Sequence, residues 1–177
     1  FILFLCKISF AQKLSILVAE GNKAIENKEY YLAENYFKKA IGIDSTSMEL
    51  QYLYAEACRL DLNYSVAERW YNKVYKKDNG KKYPDALYYL AHCKKSNGRY
   101  KDAIKMFDKY AKRNSKKHPE KAADATKESE KCNYALILMA NPLPLNVNHI
   151  DTNVNSKSGE YGPFEKDSIL YFTGINT

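Results

Sequence analysis

One signature occurs three times in this chain. A small residue is followed by an aromatic nine positions on, an alanine twelve on and an aromatic sixteen on. The copies are Gly21-Tyr30-Ala33-Phe37, Ala55-Tyr64-Ala67-Tyr71 and Ala91-Tyr100-Ala103-Phe107. A fifth marker, nineteen on, is Ala40, Val74 and Tyr110, and the copies lie 34 and then 36 residues apart. No other feature constrains the fold as strongly. Self-similarity at such a period means one supersecondary unit per copy, and a unit of that size cannot bury its apolar face alone, so the units must stack.

The spacing predicts two antiparallel helices per unit. Gly21, Ala55 and Ala91 fall on the first helix, and Ala33, Ala67 and Ala103 on the second. Small side chains at both places let the two backbones approach closely. Tyr30, Tyr64 and Tyr100 open the second helix and fold back onto the first. Phe37, Tyr71 and Phe107 lie one turn beyond the alanines on the same face. Asn27, Asn63 and the pair Asn97-Gly98 mark the turn, where a left-handed residue is required. Pro84 fits the first turn of the helix opening the third copy.

After the third unit, Pro119 begins a further helix running to about Ala140. Its stripe Ala122, Ala125, Ser129, Cys132, Leu136 and Met139 advances by alternating steps of 3 and 4, so all six share one face. This is the terminal capping helix that a repeat stack requires. First helices of successive units are neighbours in such a stack. Cys93 and Cys132 could therefore meet as a disulfide, with Cys58 the free thiol; buried apolar packing of all three is the alternative.

These residues resemble the tetratricopeptide repeat family over about residues 14–115. The chain keeps the family's small–aromatic–Ala–aromatic–Ala pattern. It departs from the family in lacking the early Trp, where Leu17, Gln51 and Leu87 stand, and the usual closing Pro. The implied fold class is all-α: a solenoid of three helix pairs plus a capping helix, over residues 12–140. The implied role is to hold a protein or peptide in the trough lined by the first helices. Positions facing that trough by spacing are Asn22, then Tyr52, Glu56 and Arg59, then Tyr88, His92 and Lys95. Tyr and Arg are frequent interface anchors. A trough covered by the rest of the same protein is the other reading.

The ends carry separate information. Phe1–Cys6 is apolar, and Ser9 and Ala11 stand where signal peptidase needs small residues for cleavage before Gln12. Residues 1–11 thus read as the remnant of an export signal, which implies a periplasmic or outer-membrane-associated location. No apolar run reaches the roughly 18–20 residues of a transmembrane helix. At the other end, Asn141-Pro-Leu-Pro-Leu145 stops the last helix and starts a linker over 141–152. Ser168–Thr173 is β-branched and aromatic, a strand that needs a partner.

The residues Asn155-Ser156, Glu160-Tyr161-Gly162-Pro163, Asp167 and Leu170-Tyr171-Phe172-Thr173 resemble the opening of a WD40-like propeller repeat called PD40. Residues 153–177 are then the first strands of an incomplete β-propeller. An export signal, a tetratricopeptide stack and a PD40 propeller in that order resemble the front half of Bacteroidetes envelope proteins of the OmpA-like family. That resemblance implies a non-catalytic scaffold module. It implies contact with peptidoglycan only through a missing C-terminal domain, and some members serve gliding and type IX secretion. The alternatives are an accessory module of an exported PD40-associated hydrolase, or a glycan-capture component.

A search for chemistry within the segment finds none. His92, His118 and His149 are far apart, and no phosphate loop, nucleophile elbow, paired carboxylates or metal-ligand spacing is present. No cofactor is expected and the chain is read as not an enzyme. The net charge of +7 is concentrated at Lys76–Lys82 and at Lys109–His118. Both read as solvated inter-helix loops, and without a recognition helix or RNA-binding signature nucleic acid is not an expected partner.

Overall fold

The computed structural model describes residues 2–144 and 160–174, with side chains over 11–144, 164–169 and at 171. The chain divides into two compact units, Phe1–Asn141 and Pro142–Thr177. Residues 145–159 lie outside the described residues, and with them most of the expected linker, His149 and the Asn155-Ser156 part of the PD40 resemblance.

The first unit is seven helices: α1 (Ile2–Glu26), α2 (Tyr30–Ile43), α3 (Met48–Leu60), α4 (Tyr64–Asp78), α5 (Asp85–Ser96), α6 (Tyr100–Asn114) and α7 (Pro119–Ala140). Extensive contact runs between consecutive helices, α1 with α2 through to α6 with α7. The repeat markers form the core. Ala33, Ala40, Ala55, Ala67, Tyr71, Val74, Ala91, Ala103, Phe107 and Tyr110 are all fully buried. One apolar cluster joins α1 to α5, and a second joins α5, α6 and α7 through Leu87, Ala91, Phe107, Tyr110, Ala125 and Cys132. Stacking thus covers a face that no single pair could cover.

Each pair closes with the same turn. Lys28 N–H donates to Ile25 O at 3.0 Å and Glu29 N–H to Ala24 O at 2.8 Å. The same two bonds recur from Leu62 and Asn63 to Arg59 and Cys58, and from Gly98 and Arg99 to Lys95 and Lys94. This is the helix-ending motif with a left-handed residue just past the last turn. That residue is Lys28, Leu62 or Gly98, with φ of 64°, 61° and 74°. The expected left-handed asparagines are therefore corrected. Asn27 precedes the site and Asn63 follows it; only the Asn97-Gly98 pair contains it. The asparagines of the later turns bind across the stack instead. Asn63 donates to the Glu34 carboxylate at 3.3 Å, and Asn97 to that of Glu68 at 2.9 Å.

The turns between pairs are built by aspartates. The Asp44 carboxylate accepts from Thr46 N–H and Ser47 N–H, and Ser47 Oγ then caps α3 by accepting from Leu50 N–H. Buried Asp78 accepts from Lys82 N–H and Tyr83 N–H at 2.9 and 2.8 Å, across a turn in which Asn79 and Gly80 take positive φ.

One expectation changes in detail. The stripe of α7 is buried at Ala122, Ala125, Ser129 and Cys132 but runs out at Met139, which is 66% exposed. With 22 residues against 15, α7 overruns its partner α6 by about 10 Å at 1.5 Å per residue. Among the described residues no helix is long and apolar enough to cross a membrane.

The second unit contains an antiparallel hairpin of β1 (Glu160–Lys166) and β2 (Ile169–Gly174). Asp167 and Ser168 both take positive φ, as a two-residue mirror-image turn demands. Gly162-Pro163 falls at an irregularity between Tyr161 and Phe164, where the missing proline N–H breaks no ladder bond. The strand expected at the end of the chain therefore pairs with the segment just before it.

Candidate binding groove

The helices α1, α3, α5 and α7 hold equivalent places in successive units, and their shared face carries the candidate residues. Six of the seven come together. Tyr52, Glu56 and Arg59 lie on α3, and Tyr88, His92 and Lys95 on α5. The two sets are bridged by Tyr89, whose ring centroid lies 4.2 Å below the Arg59 guanidinium. Such a cation–π contact is strengthened by partial burial.

On α3, Arg59 Nη2 donates to Glu56 Oε2 at 2.8 Å and Arg59 Nε to the Tyr71 hydroxyl at 3.3 Å. The Tyr71 hydroxyl in turn donates to Glu56 Oε1. Tyr52 stacks on Tyr83 with centroids 4.7 Å apart and meets Tyr71 edge-on at 5.9 Å. Burial and the Glu56 charge together push the Tyr52 and Tyr71 hydroxyls well above the usual phenol range, so both stay protonated donors.

On α5, the Tyr88 hydroxyl donates to Asp124 of α7, and Lys95 Nζ pairs with Glu128 Oε2 at 2.6 Å. Lys121 Nζ meets Asp85 Oδ2 at 2.6 Å, and the Tyr110 hydroxyl donates to Asp85 Oδ1 at 2.7 Å. His92 stands edge-on to Tyr88 and Phe107 at 4.5 and 4.9 Å, and its Nε2 is buried with no hydrogen-bond partner. Burial lowers its basicity; the opposing pull of Glu128 and Asp124 is not enough to reverse this.

This geometry corrects the picture of open anchors. Tyr88 is only 8% exposed and belongs to the second core cluster. The polar ends of Glu56, Arg59 and Lys95 are bonded within the stack. The ladder locks the second unit, the third unit and the cap into one register. What remains open on it is ring surface, at half-buried Tyr52, Tyr83 and Tyr89.

Asn22 stands apart from the other six. It is exposed on α1 and lines an apolar cleft with Leu14, Val18, Leu50 and Leu53. Leu53 and Glu56 are three apart on α3, so cleft and ladder adjoin on one face. The sequence reasoning missed Leu53 and Tyr89, although Ala19, Leu53 and Tyr89 share one place in the 34- and 36-residue register. It also missed Lys121, Asp124 and Glu128. Ala125 lies 34 residues after Ala91, and taking it as a fourth small marker would have found them.

The expected Cys93–Cys132 disulfide is not formed. Cys58, Cys93 and Cys132 are all free thiols and all buried. Cys93 packs in the cluster shared with α3 and α4, and Cys132 in the cluster around Phe107. Neighbouring helices do not make neighbouring side chains when one cysteine faces back along the stack. Burial pushes the Cys93 thiol up to about 12 and raises the other two, so none is an activated nucleophile. Among the described residues no three His, Cys, Asp or Glu side chains converge as a metal site would need.

No protein-family model matches the sequence, and no curated protein matches it. Solved structures do match. The Sgt2 TPR domain from Aspergillus fumigatus superposes with a TM-score of 0.59 at 18% identity, covering 78% of this chain and 88% of its own. The first TPR of Spaghetti (RPAP3), bound to the HSP90 peptide SRMEEVD, gives 0.57 at 22% identity, with 71% and 94% covered. The fold is the tetratricopeptide repeat. The Yersinia enterocolitica type III secretion chaperone SycD, solved with a peptide of the translocator YopD, shares that fold with a TM-score of 0.60 at 14% identity, covering 71% of this chain and 95% of its own. In this tetratricopeptide stack, the ladder and the cleft occupy the face of the first helices.

Proposed function

We propose that residues 12–140 form a non-catalytic adaptor that holds a peptide segment of a partner protein along the face of α1, α3 and α5. The observation that carries this is the continuity of that face. An open apolar cleft at Leu14, Val18, Leu50 and Leu53 leads directly to the half-buried rings of Tyr52, Tyr83 and Tyr89. The ladder beneath fixes those rings rigidly, and rigid aromatic surface binds at small entropic cost. Peptide complexes of Spaghetti and SycD, two proteins of the same fold, support this reading.

The occupant is a segment with apolar side chains at its cleft end. Selecting a displayed peptide library against the protein, then measuring the recovered peptides by fluorescence polarisation, tests this. Leu53→Glu should weaken them at least about tenfold, a loss of roughly 1.4 kcal/mol. Lys39→Glu, at an exposed side chain of α2, should leave them unchanged. Selected peptides indifferent to Leu53→Glu would overturn the groove.

We propose further that the adaptor works in the cell envelope, with residues 1–11 a signal remnant, 141–152 a linker and 153–177 the opening of a PD40-like propeller in an OmpA-family-like protein. The apolar opening with small residues at 9 and 11 supports export, and the hairpin of β1 and β2 is the kind of unit from which a propeller blade is built. Cell fractionation of the tagged protein, with N-terminal sequencing, tests export. A cytoplasmic product with residues 1–11 retained would overturn it.

A further inference from the structure

Two basic stretches far apart in the sequence meet in one pocket. Lys76–Lys82 holds four lysines and one aspartate, and Lys109–His118 holds four lysines, one arginine and no acid. Together they exceed the net charge of the whole chain, +7. They cover the last turns of α4 and α6 and the connections that follow them, and residues of both line a cavity of about 330 Å³. Asn79, Gly80 and Lys81 line it from one side, and Arg113, Asn114, Lys117 and His118 from the other. None of its lining residues belongs to the groove of α1, α3 and α5.

Six cations elsewhere in the stack are compensated. Arg59, Lys94, Lys95, Arg99, Lys121 and Lys131 each meet a carboxylate. Lys81, Arg113 and Lys117 form no ion pair among the described residues, and no acidic side chain lines the cavity, although the nearby Asp85 carboxylate acts on His118. The one aspartate of the first stretch, Asp78, is occupied by the backbone amides of Lys82 and Tyr83.

The cavity is also built rather than merely charged. Arg113 Nη1 donates to the Tyr75 hydroxyl at 2.9 Å and to Asn79 Oδ1 at 3.0 Å. Both bonds leave from the same nitrogen, so the rest of the guanidinium fork is available. The fork is thereby held in place before any ligand arrives, which lowers the cost of binding. Tyr75, Pro84 and Leu87 supply an apolar wall. Helix α7 starts at the cavity's edge, where His118 makes no capping bond with its side chain.

We infer that this cavity binds the phosphate of a small phosphate monoester or diphosphate. A tetrahedral oxyanion carrying two charges supplies several acceptors at once. The site offers a pre-set guanidinium fork, two ammonium groups and the Asn79 amide as matching donors. The apolar wall receives the organic body of the ester. The donors come from the α4–α5 turn, the end of α6 and the turn after it, so occupancy ties the second and third units together through residues outside the groove ladder.

The test is isothermal titration of the full chain with sodium pyrophosphate, against sodium chloride at matched ionic strength. One saturable site per chain is expected. The double variant Lys81→Ala and Lys117→Ala should weaken it at least about tenfold and leaves the bonds of Arg113 to Tyr75 and Asn79 intact. Arg113→Ala should abolish it. Lys38→Ala with Lys39→Ala, two exposed side chains of α2, should change nothing. Phosphatidylcholine vesicles with and without phosphatidic acid distinguish the source. Pyrophosphate-competed binding to the acidic vesicles identifies a lipid headgroup, and its absence beside saturable pyrophosphate binding identifies a soluble phosphate. Heat no greater than the chloride control would overturn the site. So would equal weakening by the α2 variant, or retention of duplex DNA without any saturation by pyrophosphate.

Discussion

A glycine and a leucine show how tightly single residues are bound to this stack. A Cβ added to Gly21 would stand 2.7 Å from Phe37 Cζ and 2.9 Å from its Cε1. Phe37 is 1% exposed and has nowhere to retreat. Gly21→Ala gains roughly 1 kcal/mol of helix propensity but overpacks a closed site, which costs about 1–3 kcal/mol. We expect a net loss near 1 kcal/mol, read as a lower urea midpoint with an unchanged m-value. Leu62 is the opposite case. It is 69% exposed and sits at φ 61° because the turn motif demands a left-handed residue there. The demand costs an L-residue about 1–2 kcal/mol, while glycine costs about 0.5–1 kcal/mol in chain entropy. Leu62→Gly should therefore raise stability by roughly 0.5–1 kcal/mol. A fall in the urea midpoint would show that Leu62 makes a contact its exposure conceals.

At the scale of the element, α7 is the test of what a cap does. It contributes Ala125 and Cys132 to the cluster that covers Phe107 and Tyr110, and Lys121, Asp124 and Glu128 to the ladder. A chain stopped after Lys117 would leave Phe107 and Tyr110 facing water, and a stack without its polar end unit loses solubility as well as stability. We expect that truncation to lower the thermal midpoint and to broaden the transition measured by circular dichroism. An unchanged sharp transition would mean that the third pair is self-sufficient. The existence of α7, its bounds and its buried stripe up to Cys132 were legible in the sequence, since periodicity of 3 and 4 reports a helix face directly. The exposed end at Met139 was not, because a stripe does not reveal where its partner stops. The groove was half legible for a related reason. Spacing put Tyr88 and Arg59 on the right face, yet the cross-helix bonds that use up their polar groups depend on α4, α6 and α7 together. The left-handed turn residue was misplaced because asparagine is favoured there in general, whereas Lys28 and Leu62 were forced into it by packing on both sides.

At the scale of the whole molecule, the ladder makes stability depend on pH in two separate windows. His92 is packed between Tyr88 and Phe107, with Glu128 and Asp124 of α7, Lys95 of its own helix and Arg59 of α3 around it. Burial holds it below its ordinary value of 6.5 in the folded state. Above that value both states are neutral and His92 adds no pH dependence. As pH falls below 6.5 the unfolded chain takes up a proton that the folded chain refuses, so stability declines until the folded value is reached. The carboxylates act lower. Burial pushes Asp85 and Glu128 up, but hydrogen bonds from Lys121 and Tyr110 to the first, and from Lys131 and Lys95 to the second, more than reverse it. Both are held below their ordinary values of 3.8 and 4.5, so their contribution is complete above those values and is lost as pH falls from them through the lower folded values. Urea midpoints measured from about pH 7.5 down to about pH 3.5 should therefore show a shallow decline below neutrality and a steeper one in the carboxylate range. His92→Leu should flatten the first and spare the second, since it replaces a buried group that can be charged with one that cannot. A decline that keeps its full slope between about pH 6.5 and 5 in His92→Leu would mean that the proton is taken up elsewhere in the stack.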